Sequence, residues 1–366
     1  MSVYTAGRLF LLFSFVLVLL GGIWLHRALF GRLSAWPLLA ALFLFGYVLH
    51  LGFVNYLFGI SLVVPAFALW VQSERWDWRA RLAASAVAAL AVYFCHYFAF
   101  IAYGLCVAGY EAGRVWSIRP FSWRATLLRA AAAGAQAVMP MALQAGAAGN
   151  GLGAVTSYGT LAERILGLLS PAMFPGSRAD LAIMALAALG LVLGLVTHRV
   201  ALAPAMRGPL LLLALAAVAI PAIVSATWGM QFRLPMLFTW LLAASIEVRV
   251  SGWRVVSVVA AAMLLFVSHI ATIALSWRAR GAQYDELRAA LPLIERGARL
   301  LPFRVDRGSN GAVERGPFFT WSQMPAMAVI ERDVFLPFLH KQAMMTVQAA
   351  SRTAAISTSS LSEWSN

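Results

Sequence analysis

Charge is scarce in this chain. Of 366 residues only 11% are Asp, Glu, Lys or Arg while 62% are hydrophobic, and the mean hydropathy is +0.80. A soluble domain carries roughly a quarter of its residues as charges, so an ordinary soluble globule is excluded. Cysteine is nearly absent as well. Cys95 and Cys106 are the only two, both inside one apolar segment where a thiol behaves as a small apolar group, so neither a disulfide framework nor a metal site follows. The six histidines are far apart and no His-Glu pair has helical spacing, which leaves no metal-ligand motif. There is no phosphate-cradling Gly-rich loop followed by Lys and Ser/Thr, and the sequence calls for no cofactor. No basic patch with interleaved aromatics lies outside the apolar segments, which sets nucleic acid aside as a partner. The first seven residues lack the basic run and cleavage site of a signal peptide, and the apolar stretch after Arg8 reads as a retained helix. No internal repeat is visible.

What remains is hydrophobic run after hydrophobic run. Residues 36–70 are too many for one crossing of a core about 30 Å thick, which takes about 20 helical residues. Two helices therefore meet near His50-Leu51-Gly52-Phe53-Val54-Asn55. An unsatisfied imidazole or amide in lipid costs several kcal/mol, so His50 and Asn55 belong at the interface or against other protein. The expected fold class is an all-α polytopic membrane protein of about nine transmembrane helices. The spans are placed at residues 9–29, from Trp36 into the hairpin, 53–71, 83–110, 125–146, 181–196, 209–226, 234–246 and 255–277. Within this bundle, residues 1–277, the stretch 147–180 turns to Gly, Ser, Thr and Pro and is a candidate lid, with 161–169 as a short helix lying on the membrane. Residues 278–340 form a small extramembrane α/β segment, with an amphipathic helix at 284–300 and strand-like pieces at 301–305 and 327–330. Residues 341–366 lack periodicity and form a disordered tail.

The net charge is +14, from 28 basic and 14 acidic residues, and nearly all the basic ones are arginine. Such a balance suits anionic headgroups, making membrane lipids the first partner, and also suits a phosphate-bearing lipid substrate. Distributed over the loops of nine spans, the arginines split nine to eight between the two sides, which orients nothing. The sharpest chemical signal is Gln231-Phe232-Arg233-Leu234-Pro235. A guanidinium at a helix mouth grips a phosphate in bidentate fashion, with Gln231 and Asn55 as further polar contacts, although an arginine snorkelling to headgroups has the same pattern. No catalytic residue is assigned. Weak candidates are His50 and His96, which equally suit single structural hydrogen bonds, and Glu163 and Asp180 flanking the Gly-rich loop, which equally suit solvation. Glu111 beside Arg114 reads as an interfacial ion pair.

The pattern of Arg233, Pro235 and an apolar helix ending in Ala243-Ala244 resembles the late transmembrane helix of GT-C superfamily glycosyltransferases, which use polyprenyl-phosphate sugars. Segments 52–59, 96–100 and 325–333 also resemble uncharacterised bacterial multi-pass proteins related to that superfamily, and the similarity extends over about 6–339. The resemblance implies transfer of a sugar from a polyprenyl-phosphate donor to a cell-envelope acceptor, in the bacterial inner membrane. It also implies an outward-facing site, an outward (periplasmic) C-terminal segment and an N-terminus inside. The chain departs from the family in one place: GT-C enzymes carry a catalytic Asp or Glu in the first outward loop, and residues 30–35 hold Arg32 and no acid. Either an upstream helix with that acidic loop precedes this sequence, or the protein is a non-catalytic envelope-lipid transporter, flippase or scaffold.

Overall fold

The computed structural model describes residues 1–117, 121–147, 156–172, 178–224, 227–300 and 325–336. Two compact units divide the chain, Met1–Ala274 and Leu275–Asn366.

The first unit is a helical bundle. Helix α1 (Val3–Phe30) starts where the Ser2 side chain accepts the Thr5 N–H and stops at Gly31, whose φ of 73° closes the last turn. The chain returns through a 3-10 segment, Trp36–Phe43, and the single turn α2 (Tyr47–His50), then enters α3 (Val54–Gln72). The expected meeting of two segments near His50 is present. The expected second span is instead this broken return, because Pro37 and the Gly46 and Gly52 punctuation favour short turns over one continuous helix.

A larger departure follows at His96. The expected single span 83–110 is two helices, α4 (Trp78–Cys95) and α5 (Tyr97–Ser117), separated by His96 in extended backbone. They are antiparallel. Arg81 at the start of α4 pairs with Glu111 near the end of α5 at 3.1 Å, while Tyr93 at the other end of α4 meets Phe100 with ring centroids 5.8 Å apart. Periodicity cannot reveal such a hairpin, since apolar sequence flanks His96 on both sides. The expected span 125–146 is likewise two helices, α6 (Trp123–Ala135) and α7 (Val138–Ala147), broken around Gln136. The remaining helices of this unit are α8 (Leu161–Leu169), α9 (Arg178–Val196), α10 (Arg207–Ala219) and α11 (Arg233–Ser245). Helix α12 (Trp253–Ala290) begins in this unit. Short strands β1 (Val200–Leu202) and β4 (Ile246–Val248) pair antiparallel, as do β2 (Ile223–Val224) and β3 (Thr227–Trp228).

Among the described residues four helices qualify by length and composition to cross a membrane: Val3–Phe30, Val54–Arg75, Trp78–Cys95 and Trp253–Arg278. Their burial separates core from rim. Val54–Arg75 has a mean hydropathy of 1.9 and is 67% buried, whereas Trp253–Arg278, at 2.3, is 11% buried. An outer helix more apolar than the central one is what lipid selects and water would not.

Packing around α3 relies on small residues. A Cβ on Gly21 of α1 would stand 2.8 Å from Pro65 Cδ, and one on Gly59 of α3 would stand 2.8 Å from Ala99 Cβ. Phe10 meets Phe58 with centroids 4.6 Å apart, so α1 and α3 run parallel. Their ends join α11 in the same sense, through the His26 imidazole and the Ala244 carbonyl at 3.1 Å. Consequently α1 starts at the same end of the bundle as Arg233. The expected arrangement, with the N-terminus and Arg233 on opposite sides, is corrected, because the α4/α5 hairpin adds one reversal between them.

The far end is tied by ion pairs. Glu111 is buried and accepts from Arg81 (3.1 Å), Arg129 (2.8 Å) and Trp70 Nε1 (3.0 Å), while Arg114 pairs with Glu74. The ion-pair reading of Glu111 stands with different partners. In β4, Glu247 joins Arg249 (2.7 Å) and Arg32 (2.5 Å), and those two guanidiniums hold its carboxyl below the ordinary carboxylate range.

In the second unit, Leu291, Ala328, Val334 and Leu336 form a small core. The expected amphipathic helix 284–300 ends at Ala290 and gives way to a 3-10 turn, Leu291–Leu293, since Pro292 disfavours helix at the residue before it. The expected strand at 327–330 is instead helix α13 (Ala326–Arg332), opened by Pro325 and burying Ala328. The expected strand at 301–305 and the tail 341–366 lie outside the described residues.

Two outcomes follow. Gly21→Val should lower stability in detergent by about 1–3 kcal/mol through overpacking against Pro65, whereas Gly7→Val, with nothing within 4 Å, should leave the melting temperature unchanged. The Glu247 pairs stabilise the fold fully above pH 4.5, the ordinary carboxyl value, and that contribution is lost as pH falls through the lowered folded-state pKa. Melting temperature should drop in acid, and Glu247→Gln should remove that share of the drop.

Candidate functional site

Arg233 opens α11 from inside the bundle, with only 5% of its surface exposed. Three rings surround its guanidinium: Phe53 at 4.9 Å, Tyr56 at 5.2 Å and Phe98 at 5.3 Å from the guanidinium carbon to the ring centroid. Two rings come from the start of α3 and one from the start of α5. Phe53 caps α3, Tyr56 lies in its first turn, and Phe98 follows the His96 break. The break places Phe98 there, because a straight helix through residue 96 would carry it past Arg233.

No anion compensates this cation among the described residues. Arg233 Nε and Nη1 are buried without a hydrogen-bond partner, as is the Tyr56 hydroxyl. Tyr56, Phe98, Ile101, Ile220, Met230, Arg233 and Leu234 line a cavity of about 30 Å³, room for one or two waters. A guanidinium stripped of water costs several kcal/mol, and ring contacts return about 0.5–2 kcal/mol each, so the arrangement is poised for an anion. A phosphate is larger than the cavity, so its entry requires the surrounding side chains to move apart.

The wall around the cavity comes from the chain between α10 and α11. Gly229, at φ 80°, turns the segment beneath Phe53, and a Cβ there would lie 2.9 Å from that ring. The described part of the candidate lid, 156–172, packs on this wall. The Ser170 hydroxyl donates to the Phe232 carbonyl at 3.2 Å, and Gly167 lies so close to Gln231 that a Cβ would meet its carbonyl at 2.8 Å.

The sequence candidates fare unequally. Gln231 is buried beside Arg233 with Oε1 unpartnered, but it is outside the cavity lining. Asn55 is exposed on the first turn of α3 and is also outside the lining. His96 stacks edge-on against Tyr56 at 5.1 Å, and its Nδ1 accepts the Phe98 N–H at 3.2 Å, which leaves Nε2 to carry the proton. His50 turns back to the Gly46 carbonyl at 3.0 Å. Glu163 closes the N-terminus of α8 in a reciprocal cap with Thr160, which satisfies two helix-end donors and accounts for this acid structurally. Asp180 lies in the first turn of α9, and its side chain is outside the described residues. Among the described residues no group of three His, Cys, Asp or Glu side chains could hold a metal. Sequence reasoning missed Phe53, Tyr56 and Phe98; their only linear signal was aromatics beside breaks at Gly52 and His96.

The chain matches no protein-family model, no curated protein and no solved structure. The site therefore speaks through its own chemistry.

Burying Arg233 without an anion works against folding. Arg233→Met should stabilise the ligand-free protein by about 1–4 kcal/mol and so raise its melting temperature, since the cation's desolvation is removed and the cavity keeps an apolar filling.

Proposed function

We propose that Arg233 and its aromatic cage hold the phosphate of a polyprenyl-phosphate sugar, and that the protein transfers the sugar to a cell-envelope acceptor in the manner of GT-C glycosyltransferases of the bacterial inner membrane. The observation that carries this reading is a buried guanidinium with two unsatisfied nitrogens facing a ring-lined cavity. A phosphate would supply acceptors for the donors of Nε and Nη1, two of its oxygens taking the fork of Nε with Nη2 or that of Nη1 with Nη2. Tyr56 would donate its hydroxyl to a further oxygen. Phe53, Phe98 and Ile101 would then face the first isoprene units, which suits a ligand anionic at one end and apolar beyond it. The sugar-transfer step rests on the resemblance of the Arg233-Pro235 segment. In this reading the shorter apolar helices Trp36–His50, Ala185–Val196 and Pro204–Ala219 complete crossings alongside the four long ones, towards the expected total of about nine.

The cavity lining favours a second reading in one respect: none of its seven residues is acidic, so no carboxylate stands ready as general base. A protein that binds and moves, or scaffolds, a lipid phosphate without transferring its sugar needs only the cage.

Binding and turnover separate these readings. A radiolabelled polyprenyl-phosphate sugar should bind the purified protein, and both Arg233→Ala and Arg233→Lys should weaken it about 10- to 100-fold, the value of losing a bidentate charged hydrogen bond. Unchanged binding in both variants would remove Arg233 as the phosphate ligand. Transfer to an envelope acceptor selects the enzyme, and tight binding without transfer selects the carrier.

A further inference from the structure

We propose that the end of the bundle opposite Arg233 is an interaction surface for the anionic lipid headgroups of the cytoplasmic leaflet, which orients the chain with the start of α1 and Arg233 on the other side. The inference rests on the chain being membrane-spanning and does not depend on what Arg233 binds.

Helix direction decides which loops share an end. Helices α1, α3, α5 and α11 all run from the Arg233 end to the far end, as shown by the Phe10–Phe58 and His26–Ala244 contacts and by Phe98 and Glu111 at the two ends of α5. Helices α4, α6 and α10 run back. Arg81 near the start of α4 and Arg129 in the middle of α6 meet Glu111, the Tyr103 hydroxyl donates to Gln136 just past the end of α6, and Pro209 at the start of α10 lies against Gly109. The far end therefore gathers the loops that join α3 to α4, α5 to α6, α9 to α10 and α11 to α12, together with the end of α1.

Arginine concentrates there. Arg32, Arg249 and Arg199 meet at Glu247 and the β1–β4 pair, where the Arg249 N–H donates to the Arg199 carbonyl at 2.6 Å. Arg81, Arg114 and Arg129 surround Glu74 and Glu111. The same loops add Arg27, Arg75, Arg79, Arg124, Arg207 and Arg254, all exposed. Among the described residues, the Arg233 end of this unit holds Arg8, Arg164, Arg178 and Arg233 itself. Counting nine spans hid this asymmetry, because one missed reversal at His96 assigned every later loop to the wrong side.

The acids at the far end do not neutralise the surface. Glu111 and Glu247 are buried against arginine, Glu74 is paired with Arg114 and Arg129, and Asp77 caps α4. What faces outward is arginine, interleaved with Trp76, Trp78, Trp116, Trp123 and Trp253, each at least 45% exposed. Arg79 lies over Trp78 and Arg254 over Trp253, at 5.3 and 5.9 Å. Tryptophan at glycerol depth with arginine just beyond it is the composition of a membrane interface on the positive side. A soluble acidic protein would find the charges, but not a use for a ring of exposed indoles.

Two measurements test this, starting from Cys95→Ala, with Cys106 fully buried. Arg124→Cys should react with a membrane-impermeant maleimide in inside-out vesicles and not in right-side-out ones, and Tyr158→Cys, on the Arg233 side, should do the reverse. The opposite pattern overturns the orientation. In nanodiscs, replacing phosphatidylcholine by phosphatidylglycerol should raise the melting temperature, high salt should cancel the rise, and the triple variant Arg75→Gln, Arg79→Gln, Arg124→Gln should lose it. A melting temperature indifferent to headgroup charge in the unmutated protein overturns the lipid surface even if the orientation holds.

Discussion

The close approach of α3 to its neighbours underlies the arrangement of the whole bundle. In lipid the apolar side chains gain nothing by leaving solvent, so helices associate through contact area and backbone proximity. Gly21 against Pro65 and Gly59 against Ala99 provide that proximity on two faces of α3. The first contact holds α1 parallel to α3 and so fixes which loops lie together. The second presses α3 on the start of α5, where the chain has just turned at His96, and this brings Tyr56 and Phe98 to the same guanidinium. The aromatic cage thus depends on two glycine contacts, the second of them directly beside it.

Arg233 is held where folding alone would not place it. The surrounding bundle has a ready means of neutralising arginine, and it uses that means at Glu111, Glu247 and Glu74. At the other end it supplies rings and an orphaned hydroxyl instead. Rings stabilise a cation without consuming its hydrogen-bond donors, so the donors stay available while the charge stays tolerable. A carboxylate in the same place would give a tighter resting structure and would compete with any incoming anion. The two ends therefore differ in how they accommodate arginine: by carboxylates at one and by aromatic rings at the other.

The sequence made the membrane class legible because composition alone excludes a soluble fold, and it pointed at Arg233 because arginine beside proline at a helix mouth is rare enough to notice. It misplaced helix boundaries for a physical reason. Hydropathy reports the solvent around a segment and is silent about its direction, so a hairpin at His96 inside lipid reads as one long span. The same silence hid the cage, since Phe53, Tyr56 and Phe98 look like any core aromatics until the turn at His96 is known. Glu163 carries the opposite lesson: an acid three residues after a threonine is a capping signature visible in the sequence, and the structure shows the reciprocal cap with Thr160. The strand expected at 327–330 shows the limit of β-branched residues as evidence, because a proline at the start and one buried alanine suffice to make that stretch helical.

Correcting one reversal changes more than a helix count. Under the nine-span reading the arginines divide evenly and the protein has no preferred orientation; with the α4/α5 hairpin the same residues collect at one end with a ring of tryptophan. Positive charge is placed by insertion into the membrane, before any function is exercised, and is independent of the cage chemistry. That independence is informative. Among the described residues, the loops richest in arginine are the ones far from Arg233. Under the proposed reading, specificity for an anion would fall to the guanidinium donors of Arg233 and the rings that frame them.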